Sequence, residues 1–261
     1  MPARAHKTAT DAHWNDRVAT ERDPRKVNIA DLVQRGLENA FILDGLRPDD
    51  RVLEIGCGNG YLTEGLRRRA SHVDSFDFAE QMIAEAVERV GHANNRFFVG
   101  SVLAPKTVAE TYDVVVCVRV LINLTGLDEQ KQAIGNMAQW TKPGGRLILV
   151  EGYRDGFEAL NGLRRQCGLP PFAPAPINYY APFAALWPTV SESFELEGEW
   201  HSGMYDLLTR IVYPLLVGAE EATGPGEFHE RIAPLARVLN PAELLPYARL
   251  RGLALRRRGT P

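Results

Sequence analysis

Between Arg51 and Leu66 the chain reads RVLEIGCGNGYLTEGL. An apolar run suited to a buried strand passes into Gly56, Gly58 and Gly60, and then into a helical pattern. Glycine at alternate positions lets the chain turn sharply and lets a ligand touch backbone. The start of the following helix offers free N–H groups. In an open parallel sheet such a turn lies at the carboxyl ends of the strands, where ligands bind at a reversal of strand order.

The surrounding chain supplies such a sheet. Val52 to Ile55, His72 to Asp77, Arg96 to Gly100 and Tyr112 to Val118 read as strands. Tyr61 to Arg69, Glu80 to Val90 and Leu127 to Trp140 read as helices between them, and KPGG at Lys142 to Gly145 as a turn before the strand RLILVE. Asn28 to Leu46 reads as an amphipathic helix, with Ile29, Leu32, Val33, Leu37, Ala40 and Phe41 on its apolar stripe and Asn28 with Asp31 as a capping pair. Strict alternation of strand and helix predicts right-handed crossovers and a parallel sheet. The expected fold is α/β, a Rossmann-like doubly wound, mostly parallel sheet with an N-terminal helix and a C-terminal cover.

Beyond Gly152 the pattern changes. Gly156 to Cys167 reads as a helix, and GLPPFAPAPINYYAPFAALWP holds too many prolines for a regular element. Phe194 to Trp200 reads as a strand, Met204 to Leu216 and Phe228 to Val238 as helices, and the closing LRGLALRRR as an edge strand. This divides the chain into a polar arm (1–26), a ligand-binding α/β core (27–151), and a cover with the closing strands of the sheet (152–261).

Composition excludes several classes. The net charge of -3 lacks the basic excess of a nucleic-acid binder. The RRR runs at Arg67 to Arg69 and Arg256 to Arg258 read as solvated element ends. Cys57, Cys117 and Cys167 are widely spaced without a C-x-x-C pair, which argues against a disulfide framework or a zinc site and for a reduced, cytoplasmic setting. No apolar run reaches the roughly 20 residues that span a bilayer, and the N-terminus lacks the apolar core of a secretory signal. The expected partner is a small molecule, with neither nucleic acid nor membrane.

The glycine spacing discriminates among ligands. A nicotinamide loop needs G-x-G-x-x-G, and here the last position is Tyr61. A phosphate loop needs Lys followed by Ser or Thr, and none is present. Glu54 would repel a pyrophosphate and suits a ligand with a cationic end.

VLEIGCGNG resembles motif I of class I S-adenosylmethionine-dependent methyltransferases. The resemblance continues through FDFAEQMI, RFFVGSVL, YDVVVCVRVLINL and KPGGRLILVE, and covers Arg51 to Glu151. It implies S-adenosylmethionine as cofactor. Gly56, Cys57, Gly58 and Gly60 would approach its methionine and ribose parts, Glu54 its ammonium and Asp77 its ribose hydroxyls. Phe78 and Met82 would flank the adenine, Ser101 and Val102 would meet its edge, and Val118 and Arg119 would close the site. The family commonly has Asp where Ser101 stands. Trp14 and Arg17 either fold over the cofactor or belong to a free tail.

The resemblance beyond Glu151 rests on EGYRDGFEALNGLRRQCGLPP and GMYDLLTRIVYPLL, which look like bacterial methyltransferases of small-molecule or saccharide type. It implies O- or N-methylation of a small polar metabolite such as a sugar, an amino compound or a natural-product intermediate. Arg119, Tyr179, His201 and Tyr205 are the catalytic candidates. Arg119 either pairs with Glu151 or holds a carboxylate; Asn123 either shares its face or makes a local turn contact. His201 is a base or a packing residue. Tyr179, Tyr180, Phe183 and Trp187 either wall an acceptor cavity or pin the cover, and Tyr153 and Arg154 can add hydrogen bonds to such a cavity. Two other readings stay open: a nicotinamide-dependent oxidoreductase, and a non-catalytic S-adenosylmethionine-binding protein.

Overall fold

The structure is a computed structural model that describes residues 10–259, apart from positions 11, 15, 18, 19, 22, 28 and 223. Its frame is one seven-stranded sheet. In chain order the elements are α1 (Leu32–Asp44), β1 (Arg51–Ile55), α2 (Tyr61–Leu66), β2 (His72–Asp77), α3 (Glu80–Val90), β3 (Asn95–Val99) and β4 (Tyr112–Val118). They continue as α4 (Leu127–Trp140), β5 (Thr141–Gly152), α5 (Arg154–Gln166), α6 (Phe183–Ser193) and β6 (Phe194–His201). The chain closes with α7 (Gly203–Leu207), a π-turn (Leu208–Val212), α8 (Tyr213–Val217), α9 (Glu227–Val238) and β7 (Leu250–Arg257).

Strand order is β3-β2-β1-β4-β5-β7-β6. The first five strands run parallel, and β7 lies antiparallel between β5 and β6. Order reverses between β1 and β4, so the loops that follow these two strands face each other across a crevice. The sheet is covered on both faces, which explains the unbroken apolar runs. Leu53, Val115, Cys117, Leu147, Leu149 and Leu253 belong to a core that includes Ile134 and Met137 of α4. The alternate residues Val52, Val114, Val116, Ile148 and Val150 pack with Ile42 of α1 and Leu62 and Leu66 of α2. Successive side chains point to opposite faces, so each strand feeds both layers.

Four expectations are corrected. α1 is capped by Asp31 itself, whose Oδ1 accepts from Gln34 N at 3.0 Å; Asn28 lies outside the described residues. The KPGG segment does not end one element and begin another. Tyr112 pairs with Thr141 and Val114 with Arg146, so residues 142–145 bulge out of a continuous β5, with Gly144 at φ +74°. Phe183–Ser193 is helical despite Pro188. An interior proline costs about 3 kcal/mol, but Leu186 and Val190 are buried in the main core, each contributing about 1.5–3 kcal/mol. Finally, β7 is not the edge strand. The edge is β6, where Glu195, Glu197 and Glu199 pair with Arg258, Arg256 and Arg251. Charges along an open edge discourage pairing with another chain.

Candidate cofactor and acceptor site

The loop after β1 is built by backbone. Gly56, Gly58 and Gly60 all have positive φ, at +68°, +53° and +77°. Gly56 N and Cys57 N both donate to Phe76 O at the end of β2, which curls the loop over the strand end. A Cβ on Gly56 would lie 2.4 Å from Val120 Cγ2, so the Val120 side chain of the loop after β4 packs directly on the Gly56 backbone. The Cys57 side chain points away, packed with Ala86, Val90 and Phe97.

Two carboxylates flank this loop. Asp77, the last residue of β2, accepts from Gly58 N at 2.9 Å and from Ala79 N at 3.0 Å. Burial pushes its carboxyl up, against the pull of the backbone donors. Each oxygen keeps a second lone pair for a further donor. Glu54 is buried on the α1 side and accepts from Thr63 Oγ1 and Ser75 Oγ. Burial pushes it up to about 7, opposed by the two hydroxyls and Arg35. Phe78, next to Asp77, is 38% exposed. Met82 is buried on α3 and packs with Val27, Ala79 and Trp14.

Of the adenine-edge pair, Ser101 Oγ accepts from Leu103 N at 3.2 Å, and Ser101 O accepts from Thr107 Oγ1. The Val102 side chain lies in the main core, so only its backbone can serve a ligand. The described part of the arm meets the glycine loop, because Asn59 Nδ2 donates to Pro24 O at 2.7 Å. Arg17 braces the arm through Val27 O and Lys26 O.

Across the crevice, Arg119 is the one described non-glycine residue with positive φ, at +53°. A side chain in that region is uncommon and strained, and such strain gathers at functional positions. Its partner is not Glu151. Arg119 Nε lies 3.6 Å from Glu38 Oε2 on α1. Glu151 instead accepts from Val120 N and Leu121 N, both at 2.7 Å, and burial pushes it up to about 8. Asn123 Nδ2 donates to Arg119 O, the local contact weighed from the sequence.

α1 supplies residues that periodicity passed over. Gln34, Arg35 and Glu38 are buried although polar, because they turn toward these strand ends. Arg35 lies 3.9 Å over the Tyr61 ring and donates to Arg25 O. Burial, and then the nearby Arg119 charge, pull its guanidinium down to about 10. Two guanidiniums held together in a desolvated place favour an anion between them. No local signal marked them, because the apolar stripe from Leu32 to Phe41 runs past all three.

The four catalytic candidates separate into two places. Tyr179 N donates to Ile122 O in the loop that carries Arg119, and Tyr179 O accepts from Gln130. His201 and Tyr205 sit instead at the β6–α7 corner. His201 Nδ1 accepts from Gly203 N, so the lone pair a base would use is spent, and burial lowers its pKa. Tyr205 OH donates to Asp31, which also pairs with Arg210 at 2.8 Å. Tyr205 thus ties α7 to the start of α1 and His201 accepts from the first residue of α7, so the contacts of both are structural ones, at variance with the catalytic expectation. Val118 lies partly buried at the end of β4 and packs toward α1.

A doubly wound sheet with a glycine loop at its switch point and an acidic residue ending the next strand defines a nucleotide-type binding domain. Residues 52–145 match the profile of the methyltransferase-domain family. That segment, about a third of the chain, is thus similar to a methyltransferase domain. The malonyl-[acyl-carrier protein] O-methyltransferase of Bacillus anthracis is 34% identical over 115 residues, which cover 42% of this chain and 40% of that protein. The chain thus spans about two fifths of that relative's length.

Two solved structures share the fold at 17% identity. Phosphoethanolamine N-methyltransferase 1 of Haemonchus contortus, in complex with phosphoethanolamine and S-adenosylhomocysteine, aligns with TM-score 0.65 over 100% of this chain and 50% of its own. N-methyltransferase NodS of Bradyrhizobium japonicum, in complex with S-adenosylhomocysteine, aligns with TM-score 0.59 over 96% and 99%. Among the described residues no helix is long and apolar enough to cross a membrane.

Proposed function

We propose that the protein is an S-adenosylmethionine-dependent methyltransferase acting on the oxygen or nitrogen of a small polar metabolite in the cytoplasm. The observation that carries the reading is the left-handed glycine loop tied to Asp77, inside the segment that matches the methyltransferase family. The residues present fit the cofactor. The left-handed loop at Gly56, Gly58 and Gly60 presents backbone rather than side chains, Asp77 retains acceptor capacity for ribose hydroxyls, and Glu54 is a buried carboxylate suited to an ammonium. Arg35 and Arg119 supply a counter-charge for the methionine carboxylate, Phe78 and Met82 the adenine walls, and Ser101 with Val102 backbone its edge. Trp14 and Arg17 belong to the arm that covers the loop.

When bound, S-adenosylmethionine supplies a methyl group already activated by its sulfonium leaving group. The protein then has to align the acceptor and exclude water. In this reading Arg119 and Tyr179 orient the acceptor beside the loop after β4, and residues 152–261 give it specificity. An amine acceptor has to arrive deprotonated, and a hydroxyl acceptor needs a base.

The test has two parts. Calorimetry should show S-adenosylmethionine binding that NADH does not compete with; the reverse preference supports the oxidoreductase reading. Labelled methyl donor incubated with metabolite pools should give a labelled small molecule by mass spectrometry together with S-adenosylhomocysteine. Binding without turnover on any pool supports the non-catalytic reading.

A further inference from the structure

α5 and the proline-rich segment that follows it enclose a groove of ≈ 360 Å³ outside the cofactor residues. α5 contributes Arg154, Phe157, Glu158 and Arg165, and the segment contributes Tyr179 and Tyr180. The α5 positions recur at helical spacing, so they form one stripe. At 1.5 Å per residue the two arginines stand about 16 Å apart along the axis.

The inner end of the groove is fixed to the strand ends. Tyr179 N donates to Ile122 O at 2.7 Å, in the loop that begins at Arg119. Tyr180 lies on Gly152, the last residue of β5, where a Cβ would meet its ring at 2.6 Å. The groove therefore opens at the carboxyl end of the sheet and runs outward along α5.

Its chemistry is amphipathic with an excess of positive charge. Tyr180 stacks on Phe157 with ring centroids 5.2 Å apart, forming a rigid apolar wall. Arg154 is held over the Tyr179 ring at 5.8 Å, and its Nε donates to Tyr180 O at 3.2 Å. That bond uses one donor of the five on a guanidinium. Among the described residues neither Arg154 nor Arg165 has a carboxylate partner, although many other arginines of the chain do. Glu158 stands between them on the stripe. One carboxylate against two guanidiniums leaves a net positive groove that favours an anion.

We propose that this groove binds the methyl acceptor, and that the acceptor is a small organic anion. Arg154 reads its single carboxylate or phosphate, and its planar or apolar body lies on Tyr179, Tyr180 and Phe157. The word acceptor rests on the methyltransferase reading; anion binding in the groove does not.

The experiment is a calorimetric titration of the full chain with phenyl phosphate, benzoate and phenol, run with and without saturating S-adenosylhomocysteine. The expected result is that at least one of the two anions binds about tenfold or more tighter than phenol, the range of a charge-assisted hydrogen bond. The tighter of phenyl phosphate and benzoate distinguishes a phosphate acceptor from a carboxylate one. Arg154→Gln should remove that advantage and leave S-adenosylhomocysteine affinity within about twofold. Arg165→Gln, which breaks no side-chain hydrogen bond or ion pair among the described residues, should weaken the anion by about threefold through longer-range charge, and keeps the test decisive if Arg154→Gln folds poorly. Phenol binding as tightly as both anions, or arginine variants that bind the anions as the wild type does, overturns the proposal. Anion binding without any S-adenosylhomocysteine binding would overturn the cofactor reading and leave the groove assignment standing.

Discussion

The two halves of the sheet treat carboxylates in opposite ways. In the amino half, acids have cations. Asp50 meets Arg146 at 2.6 Å, Asp113 meets Lys142 at 2.7 Å, and Asp74 takes Arg96 at 3.0 Å and the Tyr112 hydroxyl at 2.7 Å. Burial raises the Asp74 and Asp113 carboxyls, but hydrogen bonds and positive neighbours outweigh it and hold both below their ordinary value. At the carboxyl ends, Glu54, Asp77 and Glu151 are more deeply buried than Asp113, and their direct partners are hydroxyls and backbone N–H groups. Burial wins there and all three are raised. The amino half is complete within the protein. The carboxyl half holds buried carboxyls whose neutral form is favoured, a perturbation of the kind that gathers at binding sites.

This contrast can be broken most forcefully at Gly56. Gly56→Val forces a β-branched residue to φ +68° and drives its Cβ into Val120. Backbone strain of about 1–2 kcal/mol and overpacking of about 1–3 kcal/mol should together destabilise the protein, as read by urea unfolding, and abolish cofactor binding. Next comes Asp50→Ala in the amino half. It strands the Arg146 guanidinium, which is 17% exposed, and should cost about 2–3 kcal/mol of stability while calorimetry finds cofactor affinity unchanged. Asp77→Ala should behave conversely, weakening S-adenosylmethionine by about 1.5–3 kcal/mol in a chain that still folds. Equal effects of Asp50→Ala and Asp77→Ala on binding would erase the distinction between the two halves.

The smallest effect is a pH dependence. Glu151 titrates near 8 when folded, against an ordinary value of 4.5. Between those values the native state holds a proton that the unfolded chain has released. Stability therefore falls as pH rises from about 4.5 and levels off above about 8. Glu151→Gln keeps an oxygen for Val120 N and Leu121 N and removes this slope. The variant should gain about 1–2 kcal/mol on the wild type between pH 5 and pH 9, read from urea midpoints. The remaining decline, from Glu54, should end near its own value of about 7. A wild type whose stability is flat across this range would mean that Glu151 is not buried as the structure has it.

Much of the core was legible because its signals are local. His72 to Asp77, Glu80 to Val90, Tyr112 to Val118 and Leu127 to Trp140 coincide with the observed elements, since periodicity and end signals lie within each segment. The glycine loop was legible for the same reason. Proline misled at Phe183–Ser193, where burial on the core outweighed local propensity. Position in the sheet misled at Leu250–Arg257, because alternation marks a strand but not its neighbours.

By itself, then, the sequence determined a parallel α/β core, a glycine turn at a strand end, and an acid at the end of the next strand. Each follows from φ/ψ limits, side-chain periodicity and capping within a few residues. Only the tertiary structure decided that Arg119 answers to Glu38 rather than Glu151, that α1 turns Gln34, Arg35 and Glu38 inward, and that His201 and Tyr205 brace a corner. A buried polar group takes whichever partner packing brings within about 3 Å. These partners come from helices and strands far apart in the chain, so no local pattern encodes the choice.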